Sequence, residues 1–201
     1  MMTSPASLSR LKAELDTCRR CPLYKHATQG VPGEGPRRAR LMLVGEQPGN
    51  DEDLAGRPFV GPAGKMLDRA LDEAGVDRAA VFVTNAVKHF KFEQRGKRRL
   101  HKRPNAHEIE RCRWWLDKER ALVKPVLTVA LGATAARSLL GKAVTIAKVR
   151  GKVLDLPDGT QGLVTIHPSL LLRIPDARGK AAGFKSLTRD LREAWRIALA
   201  S

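Results

Sequence analysis

The stretch ARLMLVGEQPG, residues 39–49, decides how the chain is read. A near-continuous apolar run passes directly into a glycine, a carboxylate, a carboxamide and a Pro-Gly turn. A strand covered on both faces reads as such a run and not as an alternation. In open α/β sheets ligands bind beyond the carboxyl ends of strands, so the polar exit of this strand is a candidate site. Three further runs of the same kind follow, at residues 81–87 (VFVTNAV), 126–131 (VLTVAL) and 163–166 (LVTI). Helical patterns separate them at residues 63–74, 105–123 and 133–140, with residues 8–17 opening the chain and 184–199 closing it. This alternation predicts an α/β fold, a three-layer α/β/α sandwich with a short, mostly parallel central sheet. One domain over residues 1–201 suffices for a chain of this length. Residues 90–104 (FKFEQRGKRRLHKRP) fit neither pattern and read as a polar, basic loop, long enough to be functional or disordered.

Composition narrows the partners. Lys and Arg number 37 against 21 Asp and Glu, a formal net charge of +16, which points to a polyanion such as nucleic acid. Charge by itself separates neither DNA from RNA nor either from an anionic membrane face. No uninterrupted apolar run reaches the roughly 18 residues of a membrane span, and the opening MMTSPASLSRLKAELDTC lacks a signal-peptide core. The expectation is a cytoplasmic protein without a membrane partner. Three cysteines in such a chain suggest metal ligation or buried thiols more than a disulfide framework.

The candidate chemistry lies at the strand exits. Gly45, Glu46 and Gln47 follow the first run, Asn85, Lys88 and His89 the second, and His167, Pro168 and Ser169 the last. Their convergence would assemble a carboxylate, a carboxamide and an imidazole around one cleft. Taken alone, Glu46 could equally be a solvated loop carboxylate. Phe59, ahead of the helix start Gly61-Pro62-Ala63-Gly64, could stack on a base, although core packing is the commoner role of a single Phe. In HPSLLLR, Ser169, Leu170 and Arg173 set an apolar wedge beside a cation, as in proteins that distort a duplex, or else open an ordinary helix. Lys97, Arg98, Arg99, Lys102 and Arg103 would contact phosphate. His101 sits among them, and neighbouring cations would disfavour its charged form and leave a nucleophilic imidazole. His26 and His107 have no such setting and read as surface residues. Cys18-x-x-Cys21 is a two-ligand metal clip. With His89 and Cys112 it offers three thiolates and one imidazole, which suits either a Cys3His zinc site or an iron-sulfur cluster.

Together GEQPG, TNAVKH, HPSLLLR and the CxxC clip resemble the motif set of the uracil-DNA glycosylase superfamily, in particular its iron-sulfur family 4. The resemblance runs from about Cys18 to the last helix. The GEQPG form, the histidine of VKHFKF and the KRRLH segment resemble the UdgX type, whose histidine becomes covalently bonded to DNA. The resemblance implies a 4Fe-4S cluster held by Cys18, Cys21, His89 and Cys112. It also implies that Asn85 reads the uracil edge, that Phe59 stacks on its face, and that Gly45 and Gln47 contribute contacts from the turn. Glu46 would orient or deprotonate the attacking group, His167 would donate to the departing base, and His101 would attack C1′ of the sugar. One departure is Asn50, directly after GEQPG, where relatives carry an acidic residue; Asp51, Glu52 and Asp53 follow it.

The implied partner is uracil-containing DNA, with single strands favoured because an unpaired base costs least to expose, and the implied state is a monomer. A conventional multiple-turnover family 4 glycosylase is the alternative. A non-catalytic DNA-binding module with a structural metal ranks lower, because phosphate binding needs only cations and amides.

Overall fold

In β1 (Leu41–Gly45), Leu41 and Leu43 face one side of the sheet while Met42 and Val44 face the other, and all four are fully buried. Successive side chains of a strand point to opposite faces, so burial of both sets requires a covering layer on each side. The computed structural model, which describes residues 7–200, supplies both layers. Chain order runs α1 (Leu8–Asp16), β1, α2 (Asn50–Ala55), α3 (Pro62–Ala74), β2 (Phe82–Asn85), β3 (Phe92–Arg95), β4 (Arg98–His101) and α4 (Ala106–Val123). It continues with β5 (Leu127–Leu131), α5 (Ala133–Leu140), α6 (Ile146–Val149), β6 (Val153–Asp155), β7 (Gln161–Thr165), α7 (Pro168–Arg173) and α8 (Ala177–Ala200).

Five strands form one sheet in the order β2-β1-β5-β7-β6, parallel except for β6. On one face Leu41, Leu43, Val83, Val129 and Leu163 pack against Leu67 and Leu71 of α3 and Leu187 and Leu191 of α8. On the other, Met42, Val44, Phe82 and Val164 meet Leu116 of α4 and Ala136 and Leu139 of α5. Full burial of a leucine contributes about 2–3 kcal/mol, so each strand register is fixed from both sides. The expected α/β/α sandwich with a short, mostly parallel sheet is the observed architecture. Among the described residues, no helix is long and apolar enough to cross a membrane.

Several elements depart from the sequence reading, the short α2 and α6 among them. Residues 90–104 are not a loop: β3 and β4 pair antiparallel, with Phe92 opposite His101 and Arg95 opposite Arg98. Gly96 takes φ +57 at the turn, a left-handed conformation that glycine adopts without steric cost. The hairpin escaped because its residues are polar on both sides and show no apolar alternation. The edge strand β6 is only three residues long, and α8 begins seven residues before the expected position 184.

Candidate active site

The order of strand succession reverses at β1, which has β2 on one side and β5 on the other, both parallel to it. That is the switch point at which open sheets bind ligands. A cleft of about 500 Å³ opens there, lined by Glu46 and Gln47 from the β1 exit, Asn85 from β2, Gly132 and Ala133 from β5, and His167 from β7. The hairpin contributes His101, and Phe59 forms part of the wall. The sequence reading used three strand exits; the β5 exit is the one it missed, although Gly132 directly after a buried run was the available signal.

One end of the cleft is built by close approach. A side chain at Gly45 would meet the Oδ1 of Asn85 and lie 2.6 Å from Cζ of Phe59, so only glycine lets both groups close on β1. Phe59 itself has φ +58, a conformation that costs a residue with a Cβ and persists only where the surroundings impose it. They do: Gly64 lets α3 pack onto the Phe59 backbone, where a Cβ would lie 2.9 Å from Cα of Phe59. Glu52 ties the neighbouring turns together, its two carboxylate oxygens accepting from the N–H of Gly49 and of Gly61, each at 3.0 Å. Glu52 and Asp53 are both buried and serve the framework of the cleft, whereas Asp51 is exposed and lines it.

Beside them are Glu46 and two imidazoles, the ring of His167 stacking on Phe59 with 6.3 Å between centroids. Thr134 Oγ1 donates to Glu46 Oε2, fixing a carboxylate whose other oxygen lies 3.4 Å from His101 Nε2. Lys91 N–H donates to Gln47 Oε1 at 3.1 Å, which sets the orientation of that carboxamide. Its Nε2 therefore points to His101 Nε2 at 3.0 Å, and to the carbonyls of Lys91 and Lys102 at 3.1 and 3.0 Å. The amide has two hydrogens for these three acceptors, and the Glu46 carboxylate stands beside the same ring nitrogen, so His101 Nε2 is held between an amide donor and a carboxylate acceptor. Desolvation within the cleft is the largest influence lowering the His101 pKa; Glu46 opposes it and Arg173 reinforces it. The direction matches the sequence reading, whereas the cause is burial and a cation from α7, not the flanking KRR.

His167 caps α7. Its Nδ1 accepts from the N–H of Ser169 at 3.1 Å and lies 2.8 Å from Ser169 Oγ, which accepts from Arg173 Nη2 at 3.0 Å. With Nδ1 accepting, the ring proton belongs on Nε2. Burial first of all lowers the His167 pKa to about 4, so this imidazole is neutral near pH 7.

The basic residues divide by partner. Lys97 and Arg98 are exposed, Lys102 reaches Glu93 at 2.5 Å, and Arg103 lies 3.7 Å from Glu46. Arg99, expected to contact phosphate, is held within the protein. It turns inward to Asp53 at 2.6 Å, with its guanidinium over the rings of Phe90 and Phe92, and so fastens the hairpin to α2. Leu170 is exposed beside Ser169 on α7, while His26 and His107 are at the surface, as expected.

Behind β2, Cys18, Cys21 and Cys112 lie buried in one cluster with Leu15, Ile109 and Trp115. Burial raises the Cys21 thiol pKa and lifts that of Cys112 to about 12. Two sulfurs accept N–H donors: Trp115 Nε1 approaches Cys18 at 3.2 Å, and the Lys88 backbone N approaches Cys112 at 3.1 Å. His89 is buried with its Nδ1 unpartnered, and desolvation lowers its pKa to about 4. Among the described residues, no three Cys, His, Asp or Glu side chains converge as they would around a single metal ion.

The Lys88 ammonium, fully buried, donates to Glu119 Oε2 at 2.7 Å and to the Asn85 carbonyl at 2.9 Å. This pair joins the cleft to the cysteine layer and was also missed, because 31 residues separate its members.

The family model described as Uracil DNA glycosylase superfamily matches residues 32–192. A type-4 uracil-DNA glycosylase of Pyrobaculum aerophilum is 38% identical over 180 residues, covering 86% of this chain and 88% of its own. A type-4 uracil-DNA glycosylase of Thermotoga maritima is 38% identical over 174 residues, covering 86% and 87%. A type-5 uracil-DNA glycosylase of Pyrobaculum aerophilum is 31% identical over 170 residues, covering 76% and 71%.

Proposed function

The chain belongs to the uracil-DNA glycosylase superfamily, with the type-4 enzymes, and from that premise we propose that it excises uracil from DNA and captures the resulting sugar covalently through His101. The observation that carries the capture is the placing of the His101 imidazole in the cleft with its Nε2 3.4 Å from the Glu46 carboxylate.

Breaking the bond between uracil N1 and C1′ sends the electron pair to the base and leaves positive charge on the sugar. Groups aimed at charge that develops only in the transition state are the ones that accelerate the step. Glu46 faces the sugar cation. His167 donates from Nε2 to the O2 of the departing base, while Asn85 pairs with the uracil edge, Phe59 covers its face, and Gly45 and Gln47 line the turn beside it. Nε2 of His101 then bonds to C1′ in place of water, the one N–H proton of the neutral imidazole passes to solvent, and the uracil anion takes up one proton. Every group invoked comes from one chain, consistent with a monomer. Single-stranded DNA is favoured because it spares the cost of unpairing.

The cysteine layer fits an iron-sulfur cluster. Buried thiols that burial disfavours as thiolates gain most from a metal's charge. Cluster corners also set sulfurs farther apart than one ion does, and N–H donors to sulfur are typical of such sites. Cys18, Cys21, His89 and Cys112 would hold it, and a cluster there would cross-link the segment after α1, the β2 exit and α4.

The experiment mixes the protein with uracil-containing and uracil-free single strands and runs a denaturing gel. A heat- and detergent-resistant band with uracil only, mapped to His101 and lost with turnover gained in His101→Ser, is expected. Many uracils released per molecule without such a band would return the protein to a conventional type-4 enzyme. Metal analysis should find iron, and zinc in its place would remove the cluster.

A further inference from the structure

β1 and β5 are neighbours in the sheet, and their exits carry the two halves of one arrangement. After β5 the chain turns at Gly132, where an added Cβ would lie 3.0 Å from that of His167, so α5 starts hard against the β7 exit. The second residue of α5 is Thr134, only 2% exposed. A threonine inside a helix ordinarily gives its hydroxyl hydrogen to a carbonyl of the preceding turn. Here the hydrogen goes to Glu46 Oε2, from a residue 88 positions away in the chain.

A hydroxyl has a single hydrogen and two lone pairs. Because Thr134 donates to Glu46, it can only accept from Arg103, whose Nε lies 3.4 Å from Thr134 Oγ1 and 3.7 Å from Glu46 Oε2. Both groups thus fall on one carboxylate oxygen, and Oε1 is left to His101 and the cleft. The two are not equivalent. The Arg103 side chain is 65% exposed, so water competes for it and the ion pair contributes little. Thr134 is sealed from water, and a hydrogen bond to an ionised acceptor is of the stronger kind. The terminal torsion of a glutamate is broad and roughly two-fold, so without a fixed partner on Oε2 the carboxylate turns freely about its last bond.

We infer that Thr134 is a positioning residue for uracil excision: its hydroxyl commits Oε2 of Glu46 and so turns Oε1 toward the sugar cation. The inference rests on the uracil-excision reading and adds to it a residue that is not among those lining the cleft. It acts only through Glu46.

Thr134→Val removes the hydroxyl and keeps the branched shape. Uracil released from a uracil-containing single strand is measured with protein in excess, which gives a maximal rate and the protein concentration that reaches half of it. Thr134→Val should lower the maximal rate about thirtyfold, the scale of losing one hydrogen bond to a charged group, and leave the half-saturating concentration unchanged. Thr134→Ser, which keeps the hydroxyl, should restore most of the rate. In a Glu46→Ala background Thr134→Val should make no further difference, because no carboxylate is left to position. A maximal rate equal to wild type overturns the role. So does equal slowing in both backgrounds, which would mean that the substitution disturbs the fold and not Glu46. Wild type that releases no uracil removes the excision reading itself, whereas release by wild type and Thr134→Val alike removes only Thr134.

Discussion

Lys88 and Glu119 form an ion pair at 2.7 Å with both side chains at most 3% exposed. Glu119 also accepts from Thr84 Oγ1 and from the Gly33 N–H, each at 2.7 Å. Removing one member of a buried pair strands the other charge, which costs about 3–5 kcal/mol. Lys88→Met should lower unfolding stability by that amount in a denaturant titration, and Lys88→Met with Glu119→Leu should recover part of it. Single-variant stability within error of wild type would show that the pair contributes nothing.

The depressed pKa of His101 sets a pH profile. A group whose folded pKa lies below its usual 6.5 stays neutral down to that lower value. Trapping should therefore be flat from pH 6.5 to 8 and fall about tenfold per pH unit only below the depressed pKa, where the imidazole takes up its second proton. A rate still rising above pH 7 would mean that the attacking imidazole is not depressed.

Gly45→Ala tests the close approach of three elements. The added methyl would displace Phe59 or the Asn85 carboxamide, and displacement of a substrate-holding group by about 1 Å can cost roughly 10²-fold. Excision should drop by that order while binding to uracil-free DNA is retained. Unchanged excision would remove Phe59 and Asn85 from base recognition.

Arg98 and Arg99 are adjacent in sequence and should behave differently. Arg98→Ala should weaken DNA binding and reduce the slope of log affinity against log salt by about one, since this exposed cation faces solvent. Arg99→Ala should leave the salt slope nearly unchanged and cost about 3 kcal/mol of stability by stranding buried Asp53. Identical salt slopes in the two variants would contradict this division.

The framework strands were legible because they are covered on both sides, which writes itself as uninterrupted apolar runs. Glu46, Asn85 and His167 were legible for a related reason: Glu46 and His167 follow such a run within two residues and Asn85 interrupts the end of one, where a polar group has no packing role. The hairpin was not, since its pairing satisfies backbone groups between residues that are polar on both sides. Nor could the run KRRLHKR separate Arg99 from its neighbours, because its partner Asp53 lies 46 positions away. Thr134, which holds Glu46, is an ordinary helix-start threonine until β5 and β1 are placed side by side.

His101 resides on a two-stranded ribbon that shares no ladder with the five-stranded sheet and is fastened at a few points, through Gln47 and through Arg99 to Asp53. Its length and reach can change without disturbing a single pairing in the framework below. The proposed nucleophile is thus mounted as an accessory on a chassis complete without it, and under that proposal exchanging the ribbon between relatives would move covalent capture of DNA from one glycosylase to another.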